Sequence, residues 1–259
     1  MTRRVSFAGV VAVVSAMLLL FPTLAVIPVS FTSTRSFELP PPGWSLDFYR
    51  NLFTSPAWQE GLIRSLWICT LVAVVATALG WMAAEALTNR QMKGARVLEG
   101  VLMLPVIVPG IIGAVALYSA FLRWQVVGTN FGFFLADLVL TTPLAVVAMT
   151  TGLRDYDSTF DRAAETLGAG PVARLLRIKL PLLMPAVFAS IVMCFVVAFD
   201  EVVVGRYIQS PTVNTLPVVM YSSVQEDIDP TIAAASTFMI FAAALLLLAS
   251  WALRRKGRR

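Results

Sequence analysis

Six nearly uncharged apolar stretches, each of about 20 residues or more, constrain this chain more than any other feature, because that is the length of helix that crosses a hydrocarbon core of ~30 Å. They run from Val5 to Phe31, Ser65 to Ala84, Gly100 to Leu122, Phe131 to Leu153, Leu182 to Val204 and Thr231 to Leu253. In lipid the backbone polar groups of a single segment are satisfied only by a helix, so each stretch predicts one. Composition agrees: 58% of the 259 residues are apolar and 14% are charged, a balance that would leave large apolar patches exposed in water. The expected fold is all-α, a polytopic membrane protein of six transmembrane helices, with residues 1–259 forming one transmembrane domain. Arg3 and Arg4 precede the first stretch as they would a signal peptide. Its apolar run is about twice the usual signal length and has no clear small-x-small cleavage site, which predicts a retained anchor.

Orientation follows from lysine and arginine. The amino terminus (Arg3, Arg4), the second loop (Arg90, Lys93, Arg96), the fourth loop (Arg154, Arg162, Arg174, Arg177, Lys179) and the tail (Arg254, Arg255, Lys256, Arg258, Arg259) hold three-quarters of the total. Arg35, Arg50, Arg64, Arg123 and Arg206 lie on the other side. A bias that alternates strictly with the spans places both termini in the cytoplasm. The basic balance therefore reports topology, and nucleic acid is not expected as a partner. Trp67, Trp81, Trp124 and Trp251 fall near span ends, where indoles anchor at the lipid–water interface.

Several chemistries drop out. There is no histidine, which removes imidazole triads and relays. Cys69 and Cys194 each sit inside an apolar run without metal-ligand spacing. No G-x4-G-K-[ST] loop is present to cradle nucleotide phosphates. Other nucleophile arrangements need a lysine or a metal, and the lysines fall in loops or the tail. The chain is expected to carry no cofactor and to perform no bond chemistry.

Three connections are long enough to do more than turn the chain. Thr32 to Arg64 is rich in aromatics (Trp44, Phe48, Tyr49, Phe53, Trp58), which predicts packing against span ends or a docked partner. Gly205 to Pro230 holds Glu226, Asp227 and Asp229. Arg154 to Pro181, on the cytoplasmic side, reads as two short helices joined at a glycine. Ser158 suits the cap of the first, Asp161 its first turn, and Gly168 the left-handed position after its end. Phe160, Ala163, Ala164 and Leu167 share one apolar face whose small centre invites close approach of another backbone. Pro171 opens the second helix and Pro181 is expected to stop it. Although Ala164 to Arg174 superficially looks like a helix-turn-helix, a segment tethered by membrane spans at both ends can hardly lie along a major groove.

Arg162-Ala163-Ala164, then Gly168, then Ile178-Lys179-Leu180-Pro181 reproduce the spacing of the E-A-A-x3-G-x9-I-x-L-P motif at six of its seven positions. On this motif the chain resembles the six-span, type I permeases of binding-protein-dependent ABC importers. Pro28-Val29-Ser30-Phe31, the segment from Phe199 to Val204, Thr215-Leu216-Pro217 and Tyr221-Ser222 make it similar to the spermidine/putrescine type. The resemblance implies a permease subunit in a bacterial inner membrane. Its implied partners are two cytoplasmic ATP-binding subunits, a second and non-identical permease subunit, an external solute-binding protein and membrane lipid. It also implies that residues 154–181 form a coupling loop docking on the ATPase through Arg162, Ala163, Ala164, Glu165, Leu167, Gly168, Ile178, Leu180 and Pro181. Arg162 stands where the family usually has glutamate, and Glu165 is one turn away to supply a carboxylate.

Ionisable groups inside spans are costly and mark pathways by default. Asp137 is expected roughly 10 Å below the outer end of the fourth span, and Asp200 with Glu201 about 6 Å deep in the fifth, at 1.5 Å rise per residue. An outer cavity lined by the three would favour a cation such as a polyamine over an anion. Pro105, Pro109, Gly110 and Gly113 interrupt the third span and Pro143 the fourth, as in spans that line a cavity. The alternative function is a self-contained six-span channel or secondary transporter, with the same carboxylates as ion ligands or proton carriers.

Overall fold

A computed structural model describes residues 7–89, 92–226 and 228–256. Arg3, Arg4, Arg90, Asp227, Arg258 and Arg259 lie outside the described residues, as do the side chains of Glu226, Trp251, Arg254, Arg255 and Lys256. The helices are α1 (Phe7–Val29), α2 (Asp47–Thr54), α3 (Pro56–Thr88), α4 (Ala95–Ile107), α5 (Gly110–Trp124), α6 (Asn130–Arg154), α7 (Thr159–Thr166), α8 (Pro171–Arg174), α9 (Leu180–Phe199), α10 (Val203–Ile208), α11 (Leu216–Glu226) and α12 (Thr231–Lys256). Among the described residues extended pairing is confined to the isolated bridges Thr32–Trp44 and Ser210–Val213. The expected all-α class is the observed one.

Every apolar stretch falls on a helix or a helix pair. Helices α3, α6 and the continuous run Pro171–Phe199 are long and apolar enough to cross a membrane, whereas the apolar parts of α1 and α12, Val13–Val29 and Thr231–Leu245, are shorter. The third stretch is broken into α4 and α5, bent by 101°. Pro109 is the cause: it has no N–H to continue the helix and drives Val108 into extended backbone, at φ −71° and ψ 128°. The fifth stretch ends earlier than expected, at Phe199, with Asp200 as its C-cap.

The chain divides into two compact units. In the unit Glu60–Val218 with Leu246–Arg259, small residues bring α3, α6 and α9 close together. Ala73, Ala76, Ala145 and Cys194 form one buried layer, and Ala84, Met149, Leu153 and Leu183 another toward the α7 end. A Cβ on Gly80 would lie 2.6 Å from the Ala145 Cβ and 2.7 Å from its carbonyl carbon, so only glycine permits this crossing. Lipid tails give no hydrophobic drive between helices, leaving packing and hydrogen bonds to hold them. The Thr77 and Ser190 hydroxyls supply such a bond at 2.9 Å between α3 and α9.

At the other end of this unit, loops are pinned by polar contacts. Gly128 adopts φ +73° and its N–H donates to the Ile208 carbonyl at 2.8 Å. Arg64 donates to the Asn214 carbonyl at 2.9 Å, and Ser65 accepts from the Leu216 N–H at 2.8 Å.

The other unit, Met1–Gln59 with Val219–Leu245, absorbs much of the aromatic loop. Phe31 stacks at a tilt 5.1 Å from Tyr49, whose hydroxyl shares a 2.7 Å hydrogen bond with Ser30. Phe53 meets Phe238 edge-on at 5.6 Å, and Asn51 donates to the Thr231 hydroxyl at 2.9 Å. Trp58 is buried while Trp44 remains exposed. Asp229, one of the expected acidic cluster, accepts from the Thr231 N–H at 2.9 Å and caps α12.

Candidate coupling hairpin and intramembrane carboxylates

Residues 154–181 form a hairpin in which α7 turns back on α8. Gly168 ends α7 at φ +81°, a conformation that L side chains resist. Its N–H donates to the Glu165 carbonyl at 2.9 Å, and the Ala169 N–H to the Ala164 carbonyl at 3.0 Å. These are the paired bonds of a Schellman termination. Asp161 occupies the first turn of α7 as expected. Ser158 makes no capping bond, contrary to expectation. Asp157 takes that role: its Oδ1 accepts from the Thr159 N–H at 2.9 Å, and hydrogen bonds from Thr159 hold its carboxyl below the usual carboxylate range.

Pro181 does not stop the second helix. The chain passes from α8 through a π turn, Leu175–Lys179, directly into α9. A proline ring clashes with the carbonyl four residues back and offers it no N–H. Widening the turn gives the Leu180 N–H the Leu175 carbonyl as partner and lets the helix run on. The hairpin is therefore the exposed end of a continuous helical rod, Pro171–Phe199. Ile178 and Leu180 are half-buried and Pro181 exposed along it.

The expected apolar face of α7 divides. Phe160, Ala163 and Leu167 are exposed, Leu167 at 88%, and so are Val172 and Leu176. Ala164 is buried, so the close approach its small side chain permits is by this chain itself. Ala164 is therefore absent from the exposed edge that Phe160, Ala163 and Leu167 form. Arg162 is exposed and donates to the Thr159 hydroxyl at 3.2 Å. Glu165 does not stand free as a substitute carboxylate, since it pairs with Arg174 at 2.9 Å and clasps α7 to α8.

A second cluster, missed in the sequence, fixes the base of the hairpin. Lys179 pairs with Glu85 of α3, whose same oxygen accepts from the Trp81 indole N–H at 2.9 Å. The ammonium also lies 5.7 Å from the centre of the Tyr156 ring. Burial, then the neighbouring Asp161 carboxylate, pushes the Tyr156 phenol up to about 12. Trp81 and Glu85 stand one helical turn apart, a spacing that puts both on one face, and that was the available signal. Glu85 lies one residue beyond the second apolar stretch and so escaped the reading of intramembrane charges.

The three intramembrane carboxylates occupy different settings. Asp137, in the second turn of α6, is 4% exposed and lies within electrostatic reach of Glu201 and Cys69. Glu201 accepts from the Val204 N–H at 2.7 Å, capping α10. Asp200 is exposed at the end of α9. Because α9 stops at Phe199 with Asp200 as its C-cap, Asp200 and Glu201 stand just beyond the fifth helix and not inside it as the apolar stretch predicts.

An all-α chain with several helices long and apolar enough to cross a membrane, and an exposed helical hairpin continuous with one of them, has the architecture of a polytopic membrane protein. The chain belongs to the binding-protein-dependent transport system inner membrane components, whose family model matches residues 76–258. It is 31% identical over 242 residues to the spermidine/putrescine transport system permease protein PotC of Haemophilus influenzae, covering 92% of this chain and 93% of that one. Identity is 26% to the putrescine transport system permease protein PotI of Escherichia coli, over 92% and 87%. It is 31% to the putative 2-aminoethylphosphonate transport system permease protein PhnV of Salmonella typhi, over 93% and 92%. Among solved structures, a bacterial ABC transporter involved in import of the acidic polysaccharide alginate superposes with TM-score 0.69 at 15% identity, covering 96% of this chain and 92% of that one. The chain is thus an ABC importer permease subunit, a non-catalytic membrane component.

Proposed function

We propose that this chain is one permease half of an importer for a small cationic solute of the polyamine class, and that the 154–181 hairpin is its contact with the ATPase. The exposed apolar edge of α7, on a hairpin continuous with a membrane-length helix, carries the reading: such an edge, joined to a span, is what a soluble motor subunit needs to grip. In this arrangement both termini and the hairpin face the cytoplasm, as the charge bias requires. Two ATP-binding subunits dock there, a second and non-identical permease half completes the pathway, and a solute-binding protein delivers substrate from outside. All of residues 1–259 act as one transmembrane domain. ATP-driven closure of the motor shifts the hairpin and so the balance between outward- and inward-facing states.

Two observations support a cationic substrate. Relatives are named for spermidine and putrescine, and the buried carboxylate Asp137 has no ion-pair partner among the described residues. A negative pathway raises the local concentration of cations. The test is to reconstitute the chain with its partner subunits and measure ATP hydrolysis and uptake with the binding protein loaded with spermidine, putrescine or 2-aminoethylphosphonate. Stimulation by either polyamine is the expected result. Stimulation by the phosphonate alone would move the substrate class, and transport by the isolated chain without ATP would overturn the importer mechanism.

A further inference from the structure

The hairpin must be joined to the membrane helices if displacing it is to move them, and the structure shows two ion pairs that divide this work. Glu165–Arg174 is internal to the hairpin. Glu85–Lys179 leaves it. Lys179 is the last residue of the π turn, the point at which the hairpin becomes the membrane helix. Its side chain is largely enclosed, 18% exposed. It meets α3 through Glu85 and the exit of α6 through the ring of Tyr156. The Trp81 indole donates to the same carboxylate oxygen that Lys179 contacts, so the acceptor is oriented before the ammonium arrives. One side chain thus ties the α6 exit, the α9 entry and α3.

We propose that Glu85 and Lys179 are positioning residues for energy coupling, the joint by which displacement of the hairpin is passed to α3. The proposal rests on the coupling assignment above and adds to it a residue pair outside the docking edge. A π turn is wider than an α turn and marks a place where a helix deforms. A deforming segment transmits displacement sideways only where it is fastened, and Lys179 fastens it. A pair that served only to stabilise the fold would leave the yield of transport per ATP unchanged in whatever protein accumulates.

The experiment uses the assembled complex in proteoliposomes, reading ATPase retention, ATP hydrolysis and uptake from the same vesicles. Lys179→Met, Glu85→Gln and the exchange Glu85→Lys/Lys179→Glu are compared with wild type. The single variants should keep the ATPase bound and hydrolysing while uptake per ATP falls at least about fivefold, the lower end of ordinary coupling between sites. The exchange should recover it in part, above either single variant, because it restores the charge pair but turns the Trp81 N–H toward an ammonium and the Tyr156 ring toward a carboxylate. If a single variant fails to accumulate, Trp81→Phe removes only the indole donor and should show a smaller fall in the same ratio. An unchanged ratio in the variants that retain the ATPase, or an exchange no better than the singles, overturns the joint and leaves the hairpin assignment standing. Loss of ATPase binding in Leu167→Glu bears on the hairpin alone, so the two failures are distinguishable.

Discussion

Gly80 tests the packing on which every later claim depends. Replacing it by alanine places a methyl 2.6 Å from the Ala145 Cβ, 2.7 Å from the Ala145 carbonyl carbon and 2.9 Å from the Val146 nitrogen. Carbon contacts settle near 3.5–4.0 Å, so α3 and α6 must part by about 1 Å. Two of the three atoms are backbone, and no rotamer change relieves them. Overpacking of this kind costs roughly 1–3 kcal/mol, against a gain of about 0.5–1 kcal/mol from removing a mid-helix glycine. Gly100 in α4 supplies the control, because a Cβ there meets nothing within 4 Å, and Gly100→Ala should show the gain alone. The difference between the two variants cancels the propensity contribution and should be about 1–3 kcal/mol in reversible unfolding of the purified chain by SDS in mixed micelles. Ala145→Gly should restore Gly80→Ala only in part, since it removes the 2.6 Å contact and leaves the backbone ones. Uptake should fall too, because Glu85 lies just over a turn further along α3. Equal stability of Gly80→Ala and Gly100→Ala would refute the close crossing.

Other expectations follow from single contacts. Gly168→Val should weaken ATPase binding through a strained left-handed residue costing roughly 1–2 kcal/mol, while Gly168→Asn should be far milder; pull-down of the ATPase with each variant checks this. Asp137→Asn should reduce polyamine uptake by about fivefold to a hundredfold with basal ATP hydrolysis intact, Glu201→Gln should reduce it less because an amide oxygen still caps α10, and exposed Asp200→Asn least, all read as labelled spermidine uptake. The depressed carboxyl of Asp157 means that its contribution to the hairpin is present above the ordinary value of 3.8 and is lost as pH falls through the lower folded value. Asp157→Asn should flatten that acid dependence, measured by protease sensitivity of the hairpin across pH.

Local signals were legible in the sequence and long-range ones were not. Gly168, Pro171 and Pro109 act on their own backbone, so the α7 terminus, the start of α8 and the break in the third span could be read residue by residue. The apolar stretches gave the helices because lipid length is a local property. The π turn before Pro181 was hidden because the proline rule predicts a stop and says nothing of a helix wide enough to accommodate it. The capping role of Glu201 was hidden because it depends on α9 ending at Phe199, which the apolar run does not signal. Helical periodicity puts Ala164 on one face with Phe160, Ala163 and Leu167, and says nothing of the packing that buries it. Glu85 and Lys179 are far apart in the chain, and no periodicity connects them.

Leu167 offers the most direct measurement of the central claim. It is 88% exposed at the end of α7, and the two native cysteines are buried, so Leu167→Cys can be labelled without removing them. In intact cells this cysteine should resist an impermeant thiol reagent applied from outside, and in membranes holding the assembled complex a thiol cross-linker should join it to the ATPase subunit. Labelling from outside, or an uptake-competent complex in which Leu167→Cys never joins the ATPase, would contradict the account.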